Sequence, residues 1–522
     1  MPGMVHADGS PASLSSLSHS SLSSTLSQSS LSSPLQSFSS LTLSPLSNGI
    51  SPQHLQMMAM GGTHLASPFS PSNFPLSWVQ ELKSEERGLL IIQLLLKCAS
   101  SVAANQIDYT NHLLEQLSLL ASLTGDPMQR VATHFMEGLA ARTTKAWPGL
   151  YKALNCTHLA SPSEILTCRQ IFFNLCPYLK FAFTLVNHSI LEAMEGEKVV
   201  HIIDLGASEA VQWVALLQML RTRIGGPPHL RITIINHRKD VLDQVGQKLC
   251  EEAENLDIPF QFHPLVARLE DVDIEMLRVK TGEAVAVSAV LQLHRLLMEE
   301  HPDGNLRSGV NCVLQRYAGM MGDVDGDRTL RELFEKEGKE LNSLLRCKAS
   351  AGTDVKDAMM EEHPSTSKAD RLLSMLRGVL PKVMVLMEGE ANINGGDFME
   401  RFVEALHYYG AVFDSLESSL PSKLAGERLM MERHMFGRAI HNIVACEGME
   451  RVERQERIPS WMKRVQAAGF LQSAFSYASL IHAKRILSSY TSSEGYKLVE
   501  DHGCLTVCWQ ETPLFSASAW HA

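Results

Sequence analysis

One run constrains the fold of this chain more than any other: Val199-Val-His-Ile-Ile-Asp-Leu-Gly206, continuing Ala-Ser-Glu-Ala-Val-Gln-Trp213. Its unbroken β-branched character suits a strand buried on both faces, not the alternation of a half-exposed one. The run closes on Asp204 and Gly206, and apolar residues then recur at helical spacing through Val214, Leu217 and Leu220. Strand, glycine-containing turn and helix make the first half of a βαβ unit.

The rest of the chain arranges itself around that unit. Downstream, Gly225-Gly-Pro-Pro228 turns into a second strand at 230–235. A helix at 240–256 leads to a third strand at 260–262. A fourth strand at 283–288 feeds a helix at 290–294, and a fifth at 382–387 precedes a helix at 398–409. Helices at 425–446, 461–468 and 477–487 follow, then strands at 496–499, 505–509 and 514–520. Alternating strands and helices predict a doubly wound, mostly parallel sheet, with the last strands forming an antiparallel edge. Upstream, leucine-rich helical segments begin at Ser84 and at Asp126-Pro127, a cap followed by proline at the first helical position. Two further helices fall at 165–175 and 181–194.

Two stretches stand apart. Residues 1–80 are dominated by Ser and Leu, and Asp8 is their single Asp, Glu, Lys or Arg. So little periodic apolar surface predicts a disordered tail, with Ser-Pro steps that include Ser33, Ser44, Ser51, Ser67 and Ser70. Residues 298–366 are polar, lose strand character and read as an insertion. The ordered part is therefore 81–520, split into a mainly helical 81–196 and an α/β 197–520.

Charge and cysteine narrow the function. The net charge of −11 and the lack of a Lys/Arg cluster argue against DNA binding through a basic surface. Ten scattered cysteines without a CxxC pair fit reduced thiols. The amino terminus lacks the pattern of a secretory signal, and no apolar run is long enough to span a bilayer. A soluble intracellular protein is expected.

In doubly wound sheets ligands sit beyond the carboxyl ends of the strands, which puts Asp204, Gly206 and Glu209 where a nucleotide cofactor would lie. A dinucleotide or S-adenosylmethionine loop wants several glycines, and here Gly206 stands alone. The acid expected after the second strand is replaced by Asn236-His237-Arg238-Lys239, a basic end suited to a phosphate or an acidic partner. A scaffold is favoured over a catalyst, and no cofactor or metal is expected. Other motifs are weaker. Asp323-Val-Asp-Gly-Asp327 fails as a calcium loop, because its first ligand position is Met321. Cys504 and Cys508 share a strand face without zinc-spaced partners. Leu293-His-Arg-Leu-Leu297 and Leu341-Asn-Ser-Leu-Leu345 match a partner-helix pattern, which makes Leu293, Leu296 and Leu297 partner-binding candidates as well as plain core leucines. In 447–454, Glu450 and Arg454 are spaced to pair. That segment is either a solvated charged face or a buried ion-pair network holding two subdomains.

Taken in order, these features resemble the GRAS family of plant transcriptional regulators, the group containing the DELLA, Scarecrow and Short-root proteins. Val200, His201, Ile202, Ile203 and Asp204 stand as its VHIID motif, with Gln212 and Trp213 following. Segments at 87–140 and 241–297 look like its two leucine-rich regions. Residues 381–417 with Arg451 and Glu453 resemble its PFYRE region. Trp461, Gly469, Trp509, Ser518, Ala519 and Trp520 resemble its SAW region. Trp147-Pro-Gly-Leu-Tyr-Lys-Ala-Leu154 looks closest to a Scarecrow-like branch. Gly206 departs from the Asp common in the family, and Val211 from its usual Leu, while nothing like the DELLA sequence occurs. The resemblance implies a helical cap on a methyltransferase-like Rossmann core. It also implies a nuclear co-regulator, with a cytoplasmic pool allowed, acting in gibberellin signalling and root development. Its partners would be other GRAS proteins, DELLA type included, as homo- or heterodimers, and zinc-finger transcription factors. Contact with DNA would be indirect. The competing readings are a Rossmann-fold small-molecule binder or S-adenosylmethionine-dependent methyltransferase, and a direct reader of DNA sequence.

Overall fold

The structure, a computed structural model, describes residues 82–155, 161–297, 367–420, 422–490 and 495–522. The Ser-rich tail with its Ser-Pro steps, the 298–366 insertion, the Asp323–Asp327 segment and Leu341-Asn-Ser-Leu-Leu345 lie outside the described residues.

The helices are α1 (Ser84–Ala103), α2 (Ile107–Leu120), α3 (Pro127–Thr144), α4 (Pro148–Asn155), α5 (Pro162–Leu175), α6 (Pro177–Ala193), α7 (Val211–Arg221), α8 (Lys239–Asn255), α9 (Lys368–Gly378), α10 (Phe398–Ser419), α11 (Ala425–Met431), α12 (Arg438–Ala445), α13 (Ile458–Ala467) and α14 (Tyr477–Ser488). The strands are β1 (Val199–Asp204), β2 (His229–Ile235), β3 (Phe260–Leu265), β4 (Ala284–Val290), β5 (Val383–Gly389), β6 (Leu471–Ser473), β7 (Tyr496–Asp501), β8 (Cys504–Trp509) and β9 (Thr512–His521). They form one sheet in the order β3-β2-β1-β4-β5-β9-β8-β7, with β6 also paired to β9. The first five strands are parallel, and β9 turns the sheet antiparallel by pairing Trp520 with Met384 and Ala519 with Val385. This is a Rossmann-like, doubly wound sheet, as the strand–helix alternation predicts.

β1 is apolar except at His201 and Asp204, because helices cover both its faces. Val200 and Ile202 pack with Trp213, Leu216 and Leu217 of α7, Leu242 and Leu249 of α8, and Val186 and Ile190 of α6. Ile203 and Leu205 join the opposite layer, with Leu372 and Leu376 of α9, Trp461 and Val465 of α13, and Trp520. Between the apolar residues of that second face runs a buried polar ladder. His201 Nε2 is 2.7 Å from Thr233 Oγ1 and its Nδ1 is 2.9 Å from Arg231, which ion-pairs Glu283. Burial and then the Arg231 charge push His201 down to about 4, so it stays neutral.

A third core belongs to the cap, and it is not confined to residues before the sheet. Ile91, Leu95, Leu117, Val131 and Phe135 of α1–α3 share one cluster with Phe402, Val412, Phe413 and Ile440 of α10 and α12. Phe135 meets Phe402 edge-on at 5.2 Å between centroids. Gly138 lets α3 approach α12, since a Cβ there would stand 3.0 Å from Val444. Arg130 of α3 ion-pairs Glu432 at 3.1 Å in the π-helical turn Glu432–Gly437, with both side chains buried. α6 belongs to both layers, with Tyr178, Phe181 and Leu185 in the cap cluster and Val186 and Ile190 on the sheet.

The sequence expectation fails most clearly after β4. The strand runs to Val290, Leu291 adopts φ 55, and a 3₁₀ turn at Leu293–Leu297 replaces the expected helix. Two bonds hold that exit: Leu291 N donates to Met387 O at 2.8 Å, and Leu293 N to Glu388 Oε1 at 2.7 Å. Leu293, Leu296 and Leu297 are consequently buried against α9, which makes them core rather than a partner surface.

The start of α3 follows capping logic. The Asp126 side chain accepts from Gln129 N at 3.0 Å, the Gln129 side chain accepts from Asp126 N at 3.2 Å, and Pro127 needs no donor. Arg87 and Ser84 of α1 also donate to Asp126, at 2.9 and 2.8 Å. Asp126→Ala is expected to cost about 1 kcal/mol, read as a lower urea midpoint with an unchanged m-value.

Candidate functional site

At the carboxyl end of β1 the loop is closed on itself. Asp204 Oδ1 accepts from Gly206 N and Ala207 N, both at 2.9 Å, and Oδ2 accepts from the Trp213 indole at 2.7 Å. Burial pushes Asp204 up to about 6, while these three N–H donors favour its charged form. The Gly206 and Ala207 N–H groups, which a phosphate-binding loop would offer a ligand, are thus spent on Asp204. The space over Gly206 is also occupied, because a Cβ there would meet Gln292 Cδ at 2.4 Å. After β2, Asn236 accepts from Arg238 N at 3.0 Å and donates to Ala207 O at 3.4 Å, so it serves the loops. Gln212 is buried beside Asn187, whose amide donates to Gln212 O at 3.0 Å and fastens α7 to α6.

A second polar centre lies at the ends of β4 and β5. His294 Nδ1 is 2.7 Å from Glu388 Oε2, and its Nε2 is 3.4 Å from Glu453 Oε2. Burial alone would lower the histidine, but the two carboxylates outweigh it and raise His294 to about 9. Glu453 is held down at about 2 against its own burial, chiefly by His294. This is a buried cation between two anions, and it ties the 447–454 segment to the sheet.

The cap carries a different kind of feature. Trp147 (46% exposed), Leu150 (48%) and Leu154 (49%) fall three and seven residues apart, along one side of α4 and its entry. Tyr151 turns inward, with Lys145 Nζ 5.2 Å from its ring centre. Beside this stripe is a cavity of about 310 Å³, lined by Arg142, Lys145, Glu447 and Glu450 and rimmed by the exposed Ile107.

The sequence profile of the GRAS domain family matches residues 91–521, which spans the cap and the sheet together. The chain belongs to the GRAS domain family. It is 45% identical over 86% of its length to Scarecrow-like protein 3 of Arabidopsis thaliana, covering 92% of that protein. It is 40% identical to the GRAS family protein TF80 of Medicago truncatula, over 86% of this chain and 99% of that one. The crystal structure of SCL7 in Oryza sativa aligns with a TM-score of 0.60 at 28% identity, covering 83% of this chain and 99% of that chain.

The GRAS motifs can then be placed. Arg451 and Glu453 do not act on each other. Arg451 donates to Ile393 O at 2.7 Å and lies 4.0 Å from Glu447, whereas Glu453 faces His294. Glu450 pairs with Lys145 at 2.7 Å instead of Arg454, which donates to Arg451 O and Gly448 O. Glu447 also receives Arg142 of α3 at 2.7 Å and Arg401 of α10 at 2.5 Å. The 447–454 segment falls between its two readings: the exposed Glu447 and Glu450 pair with Arg142, Arg401 and Lys145, and Glu453 alone is in a buried pair. The SAW residues close the sheet. Ser518, Ala519 and Trp520 lie on β9 against β5, and Trp520 Nε1 donates to Ser518 Oγ at 2.8 Å. Trp461 is buried under the sheet, Gly469 turns at φ 91, and Trp509 donates to Asp414 at 2.7 Å. Cys504 and Cys508 are buried thiols, each pushed up to about 11 by burial. No helix among the described residues is long and apolar enough to cross a membrane.

The sequence reading missed His294 with Glu388, and Arg142, Lys145 and Arg401 as partners of 447–454. No local spacing links residues this far apart in the chain.

Proposed function

We propose that this GRAS regulator is a nuclear transcriptional co-regulator that acts by binding proteins and not by catalysis, in gibberellin signalling and root development. The observation that carries this reading is the exposed apolar stripe of Trp147, Leu150 and Leu154 on the cap, a surface that a lone soluble chain gains nothing by exposing. The Asp204 loop supports it, since Asp204 engages the Gly206 and Ala207 N–H groups and Gln292 covers Gly206. Relatives point to the same biology by name: a DELLA protein of Vitis vinifera is 34% identical, as is a chitin-inducible gibberellin-responsive protein of Oryza sativa. Its partners are other GRAS proteins, including the DELLA type, and zinc-finger transcription factors, and it reaches DNA through them. The acidic net charge of −11 fits recruitment by a DNA-bound partner.

Affinity purification of the tagged full chain from plant nuclei tests the proposal, alongside a gel shift with the purified chain alone. Recovery of GRAS and zinc-finger proteins, with no shift of DNA by the chain alone, is the expected result. A DNA shift without partners, falling steeply with salt, would replace this reading with direct DNA binding.

A further inference from the structure

The two outer strands of the sheet are unlike. β3 carries Pro264, which has no N–H to offer a further strand. β7 has no proline, and among the described residues it pairs with β8 alone. Its register fixes which backbone groups face outward. Asp501 pairs with Cys504 across the turn His502-Gly503, where φ is 47 and 73, so the odd-numbered residues of β7 exchange their bonds with β8. Gly495, whose O accepts from Gln510 N at 2.6 Å, keeps the same parity. Leu498 and Glu500 therefore turn their N–H and C=O groups away from β8, and no backbone bond meets them among the described residues. Lys497, Val499 and Asp501 share one face and border a cavity of about 600 Å³ between β7, β8 and α13. Val499 is 45% exposed, and Lys497, Glu500 and Asp501 are exposed too.

We propose that β7 pairs antiparallel with β7 of a second copy of this chain, about a two-fold axis through Val499. That axis sets Leu498 opposite Glu500 of the other copy, and their outward N–H and C=O groups bond reciprocally. It also sets Lys497 opposite Asp501 on each side of the axis. These are the non-bonded pairs of an antiparallel ladder, where side chains stand closest and opposite charges stabilise the contact. Val499 meets its own copy between the two charge pairs, which covers its exposed apolar surface. An axis through Leu498 or Glu500 instead sets Lys497 or Asp501 against Val499 and forfeits both charge pairs. Charges on an edge strand commonly repel other strands, but here the two signs stand at mirrored positions and favour a copy of the same strand. Lys497 also contacts the exposed Glu511 of its own chain, and its ammonium has donors for a second carboxylate. The contact uses none of the cap stripe residues, so it is a surface distinct from the one proposed above. A strand of six residues is a small contact, and the dimer is expected to be weak and reversible.

Sedimentation velocity of the full chain across the micromolar range tests the pairing. A reversible monomer–dimer equilibrium is expected, weaker at high salt because both charge pairs are exposed. Glu500→Pro removes an outward donor from each copy and no bond to β8, so it should weaken the dimer by about tenfold or more. Asp501→Lys and Lys497→Asp should each weaken self-association, since like charges then face each other on both sides of the axis. An equimolar mixture of these two variants should dimerise again, because each presents the sign the other lacks. Urea midpoints near that of the unaltered chain confirm that the variants are folded. A chain that stays monomeric overturns the proposal, as does a mixture of the two charge variants that does not associate. A dimer that survives Glu500→Pro but is lost in Trp147→Ser/Leu150→Ser belongs to the cap and overturns it as well.

Discussion

Alanine at Trp213 is expected to lower the unfolding free energy by about 3–5 kcal/mol, the range for emptying a buried aromatic site. The indole is fully buried between α7, α8 and the sheet, so little can collapse into the void. The loss is compounded because Asp204 Oδ2 would forfeit its 2.7 Å indole donor inside the protein. Trp213→Phe separates the two contributions, keeping most of the packing and removing the donor, for about 1–3 kcal/mol. Urea unfolding measures both, and the midpoint should fall with the m-value preserved. If Trp213→Ala unfolded at the midpoint of the unaltered chain, Trp213 would not be the anchor of the VHIID turn.

His294→Leu is the second large effect. It leaves Glu388 and Glu453 buried together without their shared cation, a situation that costs about 3–5 kcal/mol. The effect depends on pH in a defined direction. His294 has its value raised from 6.5 to about 9 in the folded chain, so its contribution is complete below 6.5 and fades as pH climbs through 9. Glu453, lowered from 4.5 to about 2, contributes above 4.5 and loses that contribution as pH falls towards 2. The deficit of His294→Leu should therefore be greatest near pH 5–6 and shrink by pH 9. Urea midpoints of both proteins at pH 6 and pH 9 check this, and a deficit that does not change with pH would contradict the charged triad.

How much of this could be read from the chain alone follows from where the information sits. β1 is legible because helices cover both its faces and favour the β-branched Val199, Val200, Ile202 and Ile203. The opening of α3 is legible because Asp126, Pro127 and Gln129 encode a cap within four residues. The exit from β4 is not, because its course is set by Glu388 and Met387 on the neighbouring strand. Helical spacing of Leu293, Leu296 and Leu297 fits a core 3₁₀ turn as well as a partner-binding helix, and only burial separates them. The membership of α10 and α12 in the cap is equally hidden. It depends on Phe402 meeting Phe135 and Val444 meeting Gly138 across some 300 residues of chain. Motif position likewise misleads for Arg451 and Glu453, which are two residues apart and serve different networks.

The central claim is that the cap surface, supported by the α/β layers, does the work of this GRAS protein. The double variant Trp147→Ser/Leu150→Ser tests it most directly, through its affinity for a DELLA-type GRAS partner measured beside its urea midpoint. Exposed substitutions of this kind leave stability within about 0.5 kcal/mol, whereas loss of aromatic and aliphatic anchors from an interface weakens binding by about tenfold or more. The account predicts a near-native midpoint with that loss of affinity. Full partner affinity in the folded double variant would contradict it.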